Sequence, residues 1–78
     1  MPLGRIEILV EPFKENAPGP HVLAVLDLVR SRGFNVDMGP FSSTIEGELT
    51  ELIALTSELL QAGFDAGATS IQTRIERA

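Results

Sequence analysis

The chain contains no cysteine, no tryptophan and no tyrosine. Without thiols there is no disulfide framework, no thiolate metal site and no cysteine nucleophile. Histidine occurs once, as His21, so neither a zinc site nor a Ser/His triad can be assembled from residues near it in sequence. It is expected to be an exposed structural residue. Basic residues are also scarce: 6 Lys and Arg stand against 11 Asp and Glu, a net charge of −5. Such a surface repels phosphate backbones and anionic membranes, so nucleic acid and membrane are not expected as partners. No apolar run approaches the ~20 residues of a membrane span, and MPLGRIEILV lacks the basic-then-apolar layout of a secretory signal. A cytoplasmic location is the resulting expectation.

What is present is a hydrophobic fraction of 44% and a mean hydropathy of +0.17, too high for a disordered chain. Seventy-eight residues predict one small domain over 1–78. At that size a single core leaves only roughly 3–5 kcal/mol of stability, so self-association is expected.

The apolar period changes along the chain. In residues 5–11, RIEILVE, Ile6, Ile8 and Val10 fall on one face and Arg5, Glu7, Leu9 and Glu11 on the other, the pattern of a half-buried strand. Pro12 ends it, and KENAPGP cannot continue a ladder. Pro20 suits a first helical turn. Val22, Val25, Leu26 and Val29 form a helical stripe, and Gly33 after two arginines reads as a left-handed cap on which Phe34 folds back, giving a helix over roughly 20–32. Val36 and Met38 then alternate with Asn35 and Asp37 on a strand that stops at Gly39-Pro40. Phe41, Ser43 and Ile45 fall on the inner face of the returning strand, with Ser42, Thr44 and Glu46 on its outer face. Gly47 is expected to break that strand. Glu48 and Glu51 put negative charge at the start of a second helix, whose apolar face is expected from Leu49, Leu52, Ile53, Leu59, Leu60 and Phe64. Gly63 inside it predicts close approach of a neighbour, and Gly67 its end. SIQTRIE alternates again, Ile71, Thr73 and Ile75 facing in.

The order is β-α-β-β-α-β, and each strand has one apolar face, so both helices must cover the same side of the sheet. These constraints predict an α+β, ferredoxin-like sandwich: a four-stranded antiparallel sheet with two helices on one face. The first and third strands are expected to be the central pair, running parallel, which would gather Glu7, Leu9, Glu11, Thr44 and Glu46 on the helix-free face. Leu9 among acids there predicts a cover from another subunit, through that face or the sheet edges.

The run MGPFSSTIEGELTEL, preceded by RSRGF and followed by SIQTRIE, resembles the YkoF-like thiamine-binding protein family, and EILVEPF resembles that family's first strand. The resemblance covers nearly the whole chain, with GPFSSTIEGE its most specific element. It implies a ferredoxin-like fold, dimers and tetramers built through the sheets, and binding of thiamine or its hydroxymethylpyrimidine part without catalysis. No cofactor is implied beyond that ligand.

The residue chemistry suits such a ligand. Thiamine carries a cationic thiazolium and an aminopyrimidine that both donates and accepts, so a carboxylate, hydroxyls and an aromatic face match it. Glu46, Thr44, Ser43 and Phe41 offer these groups, and Glu46 is expected to pair with the cation. Glu11, near the middle of the sheet, and Asn35 complete the candidate ligand-binding set. Each has a plainer reading: Glu46 as negative charge ahead of a helix, Ser43 and Thr44 as ordinary strand residues, Phe41 as core, Asn35 and Asp37 as solvated edge residues that discourage stray pairing. Other functions of the fold fit less well. A metal chaperone needs paired cysteines, an RNA-recognition sheet needs exposed aromatics in basic surroundings, and an acylphosphatase needs an anion cradle where this chain has only Lys14. The alternative that fits bulk features equally is a regulatory or assembly module binding an amino acid or other small effector between subunits.

Overall fold

A computed structural model describes residues 2–12, 19–39 and 42–78. The elements are β1 (Leu3–Glu11), α1 (Pro20–Ser31), β2 (Val36–Met38), β3 (Ser43–Glu48), α2 (Leu49–Asp65) and β4 (Ser70–Arg77). They form one four-stranded sheet in the order β2-β3-β1-β4 with every neighbouring pair antiparallel. This is the ferredoxin-like α+β arrangement. The central pair β1/β3 is therefore antiparallel, correcting the expectation of a parallel pair. The reason is topological: a β-α-β crossover makes β2 parallel to β1, and the reversal between β2 and β3 then turns β3 against both.

The core follows the period-two and helical stripes. Ile6, Ile8 and Val10 of β1, Ile45 of β3, Val22, Val25, Leu26 and Val29 of α1, and Leu52, Leu55 and Leu59 of α2 are buried together. Pro20 occupies the first turn of α1, where its missing N–H costs no intrahelical bond. That helix ends as expected: Gly33 takes φ +88°, and the Phe34 N–H returns to the Val29 carbonyl at 3.3 Å. Gly67 at φ +108° closes α2 in the same manner, with the Ala68 N–H on the Gly63 carbonyl at 3.0 Å.

Three local expectations change. Gly47 does not break β3, which continues to Glu48. The apolar arc of α2 is rotated: Leu55 joins the core, whereas Ile53 is 59% and Phe64 49% exposed. The helix carries more apolar residues than one face can bury, so the sheet selects among them. Thr56, which interrupts the stripe, is satisfied by donating to the Leu52 carbonyl at 2.9 Å. His21 is buried rather than exposed, at 8%. Its Nε2 hydrogen-bonds the Pro12 carbonyl oxygen, so a backbone acceptor at the end of β1 holds the ring against the first turn of α1.

Candidate ligand site on the helix-free sheet face

Because Ile6, Ile8 and Val10 point toward the helices, the intervening residues of β1 and their partners form the open face. The registers align Arg5 with Glu46 and Glu7 with Thr44 across β1/β3, and Asp37 with Thr44 across β2/β3. On the other side, Arg5 lies opposite Glu76, Glu7 opposite Arg74 and Leu9 opposite Gln72.

Charge is distributed unevenly on this face. Arg5 donates from Nε to Glu76 Oε1 at 3.1 Å, also contacts that oxygen through Nη2, and Arg74 adds a second ion pair to Glu76 at 3.2 Å. The Arg5 hydrogen bond, followed by the field of Arg74, lowers the Glu76 pKa below the ordinary carboxylate value. The same bond raises that of Arg5. Arg5 thereby bonds to Glu76 on β4 and not to Glu46, the residue opposite it on β3, whose charge it still feels. Among the described residues no side chain pairs with Glu46.

Beside Glu46 lies a hollow of about 250 Å³ over β2 and β3, lined by Asn35, Val36, Asp37, Thr44 and Glu46. It brings together an amide, a hydroxyl and two carboxylates, with no cation in its lining. Asp37, expected from the sequence to be a solvated edge residue, joins the lining of this hollow. Its parity with Asn35, and the reversal that sets β2 against β3, are the signals that could have placed it here.

The other candidates lie elsewhere. Ser43 shares the helix side with Ile45 and lines a cleft between α1 and the sheet with Val22, Val25, Met38 and Ser42; its volume of about 20 Å³ holds about one water molecule. Glu11 sits at the far end of β1, where it accepts from Ser70 Oγ at 2.9 Å and Gln72 Nε2 at 3.4 Å. Those bonds commit it to β4. Phe41 lies outside the described residues. A further hollow of about 320 Å³, with Glu7, Leu9, Ser42, Gln72 and Arg74 in its lining, opens over the β1/β4 half of the face.

Glu48 has a structural duty. Its carboxylate caps α2, accepting from the Thr50 N–H at 3.1 Å and the Glu51 N–H at 3.0 Å. The Thr50 bond, ahead of the Glu51 bond among the lowering causes, draws its pKa below the ordinary value. Of the two acids around Gly47, one is thus engaged by the helix and the other is left to the open face.

Comparison with known proteins matches residues 6–77 to a family described as thiamine-binding protein. Solved structures share the fold. A domain of unknown function from Bacillus cereus is 26% identical with a TM-score of 0.64, covering 99% of this chain and 75% of its own. A Thermotoga maritima protein ascribed to thiamine biosynthesis or salvage is 24% identical with a TM-score of 0.63, over 97% and 82% of the two chains. A hypothetical protein from Methanocaldococcus jannascii reaches a TM-score of 0.72 at 14% identity, over 100% of this chain and 80% of its own. Among curated proteins no match was found.

Proposed function

We propose, from the premise that this chain belongs to the thiamine-binding protein family, that it is a non-catalytic carrier or sensor of thiamine or its hydroxymethylpyrimidine part. The observation that carries the reading is the hollow over β2 and β3, where Glu46, unpaired among the described residues, stands with Asp37, Thr44 and Asn35. Two carboxylates, with no cation in the hollow's lining among the described residues, favour a positively charged ligand over a phosphorylated one. Thr44 and Asn35 supply the donors and acceptors that an aminopyrimidine edge requires. At about 250 Å³ the hollow falls just below the ~300 Å³ at which small-molecule pockets usually begin, the scale of a small ligand held against an open face.

Calorimetry with thiamine, hydroxymethylpyrimidine and thiamine diphosphate tests the reading. Thiamine should bind most tightly and the diphosphate least. Replacing a charge-assisted partner costs about 1.5–3 kcal/mol, so Glu46→Gln should weaken thiamine roughly tenfold or more. Unchanged affinity in that variant removes Glu46 from the site. A melting panel separates this reading from an amino-acid effector module: a ligand at 100 times its Kd adds about 2.7 kcal/mol to native stability, and amino acids should leave the midpoint in place.

A further inference from the structure

A different hollow lies on the helix side of the molecule, across the sheet from Glu46. It is an open groove of about 320 Å³ lined by Arg32, Phe34, Glu51, Ala54, Leu55 and Glu58. The α2 members fall at i, i+3, i+4 and i+7, so they form one stripe of that helix, and the chain leaving α1 supplies the facing wall. Leu55 is buried at the floor. Phe34 is half-buried: one edge of its ring fits the notch left by the missing side chain of Gly47, and the ring also borders the groove.

Its three charged residues are not equivalent. Arg32 donates from Nε to Glu58 Oε2 at 2.9 Å and from Nη2 to Glu58 Oε1 at 3.4 Å, a two-point pairing that closes one end of the groove and commits both groups. Glu51 stands toward the other end, in the first turn of α2. Among the described residues no side chain pairs with its carboxylate. Two carboxylates against one guanidinium leave the lining negative, beside an apolar floor. The volume exceeds the ~300 Å³ at which small-molecule pockets usually begin, and apolar walls with a few polar groups are their usual make-up.

We infer that this groove is a second binding site, taking a small primary ammonium carried on an aromatic or short aliphatic stem. Glu51 accepts from the ammonium in a charge-assisted hydrogen bond, and the apolar surface of Phe34, Ala54 and Leu55 takes the stem. An anion is refused, because Arg32 directs its donors to Glu58 and the carboxylates repel it. For the same reason a free amino acid is a poor occupant: its ammonium suits Glu51, but its own carboxylate finds no partner. The groove is separate from the acidic hollow over β2 and β3, which opens on the other face of the sheet, and its occupancy does not depend on what that hollow binds.

Calorimetry and amide NMR with phenethylammonium test this. Amide shifts should concentrate at Phe34, Glu51, Ala54 and Leu55 and leave Thr44 and Glu46 in place. Neutral phenethyl alcohol and free phenylalanine should each bind about tenfold more weakly or worse, the factor that loss of one charge-assisted contact produces. Glu51→Gln should weaken the ammonium by the same factor with an unchanged far-UV spectrum, whereas Glu46→Gln should not alter it. Ala54→Leu, which fills the groove from an exposed helical position, provides a second route should the glutamine variant fail to fold, and should abolish binding. A wild type that does not take up the ammonium overturns the inference, as does equal binding of the alcohol or of phenylalanine. So do shifts gathered at Thr44 and Glu46, or a folded Glu51→Gln or Ala54→Leu that keeps wild-type affinity.

Discussion

Gly4 of β1 and Gly47 of β3 stand directly opposite each other, on the face that receives α2. A Cβ on Gly47 would lie 2.8 Å from Phe34 Cε1, and one on Gly4 would lie 2.7 Å from Leu49 Cδ1 and 3.1 Å from the Glu76 carbonyl oxygen. The pair leaves the space into which the Phe34 ring and the first turn of α2 settle. Gly47→Ala should cost about 1–3 kcal/mol through overpacking, read as a lower midpoint in urea or heat.

Gly63 poses a similar contest with opposing contributions. Alanine at an interior helical position gains about 1 kcal/mol of propensity, but its Cβ would meet Ile71 Cδ1 at 2.6 Å and Val25 Cγ2 at 3.0 Å. The Ile71 methyl lies at the end of a half-buried side chain and can swing, whereas Val25 is buried and β-branched. Overpacking at about 1–3 kcal/mol should exceed the gain, so Gly63→Ala is expected to melt below the wild type.

The carboxylates of Glu48 and Glu76 both titrate below their ordinary range in the folded chain. On acidification the unfolded chain takes up protons first, so their contribution is full above the ordinary carboxylate pKa and is lost as pH falls through the lowered folded values. Melting midpoints measured from neutral pH into the acid range should decline across that window. Glu48→Gln, which removes the titrating group at the α2 cap, should flatten the decline.

The two faces of β3 separate ligand effects from packing effects. Thr44 lines the acidic hollow, whereas Ser43 points to the narrow cleft under α1. Under the proposed function Thr44→Val should weaken thiamine several-fold in calorimetry, while Ser43→Ala should leave its affinity unchanged.

Leu59 is fully buried between α2 and the sheet. Its truncation to alanine is expected to cost about 2–5 kcal/mol, comparable with the roughly 3–5 kcal/mol that a single core of this size retains. Circular dichroism of Leu59→Ala should show a chain largely unfolded at room temperature unless ligand or self-association adds stability.

Much of this protein was legible in the order of its residues. Alternation at Ile6, Ile8 and Val10, the stripe Val22-Val25-Leu26-Val29, and glycines at positions 33 and 67 define elements and their ends locally, because backbone periodicity and positive φ are properties of a few neighbouring residues. The parity of Thr44 and Glu46 was readable for the same reason. Other features depended on partners distant in sequence. Which arc of α2 is buried, Leu55 rather than Ile53 and Phe64, follows from where the sheet lies under the helix. The burial of His21 follows from the carbonyl of Pro12. Glu46 lacks a side-chain bond among the described residues because Glu76, thirty positions further on, holds Arg5, and the acidic hollow exists because β2 and β3 align Asp37 with Thr44. Local sequence determined the elements and their faces through short-range sterics and hydrophobic period; only the tertiary structure decided which charges meet, because electrostatic pairing depends on distances that chain order does not contain.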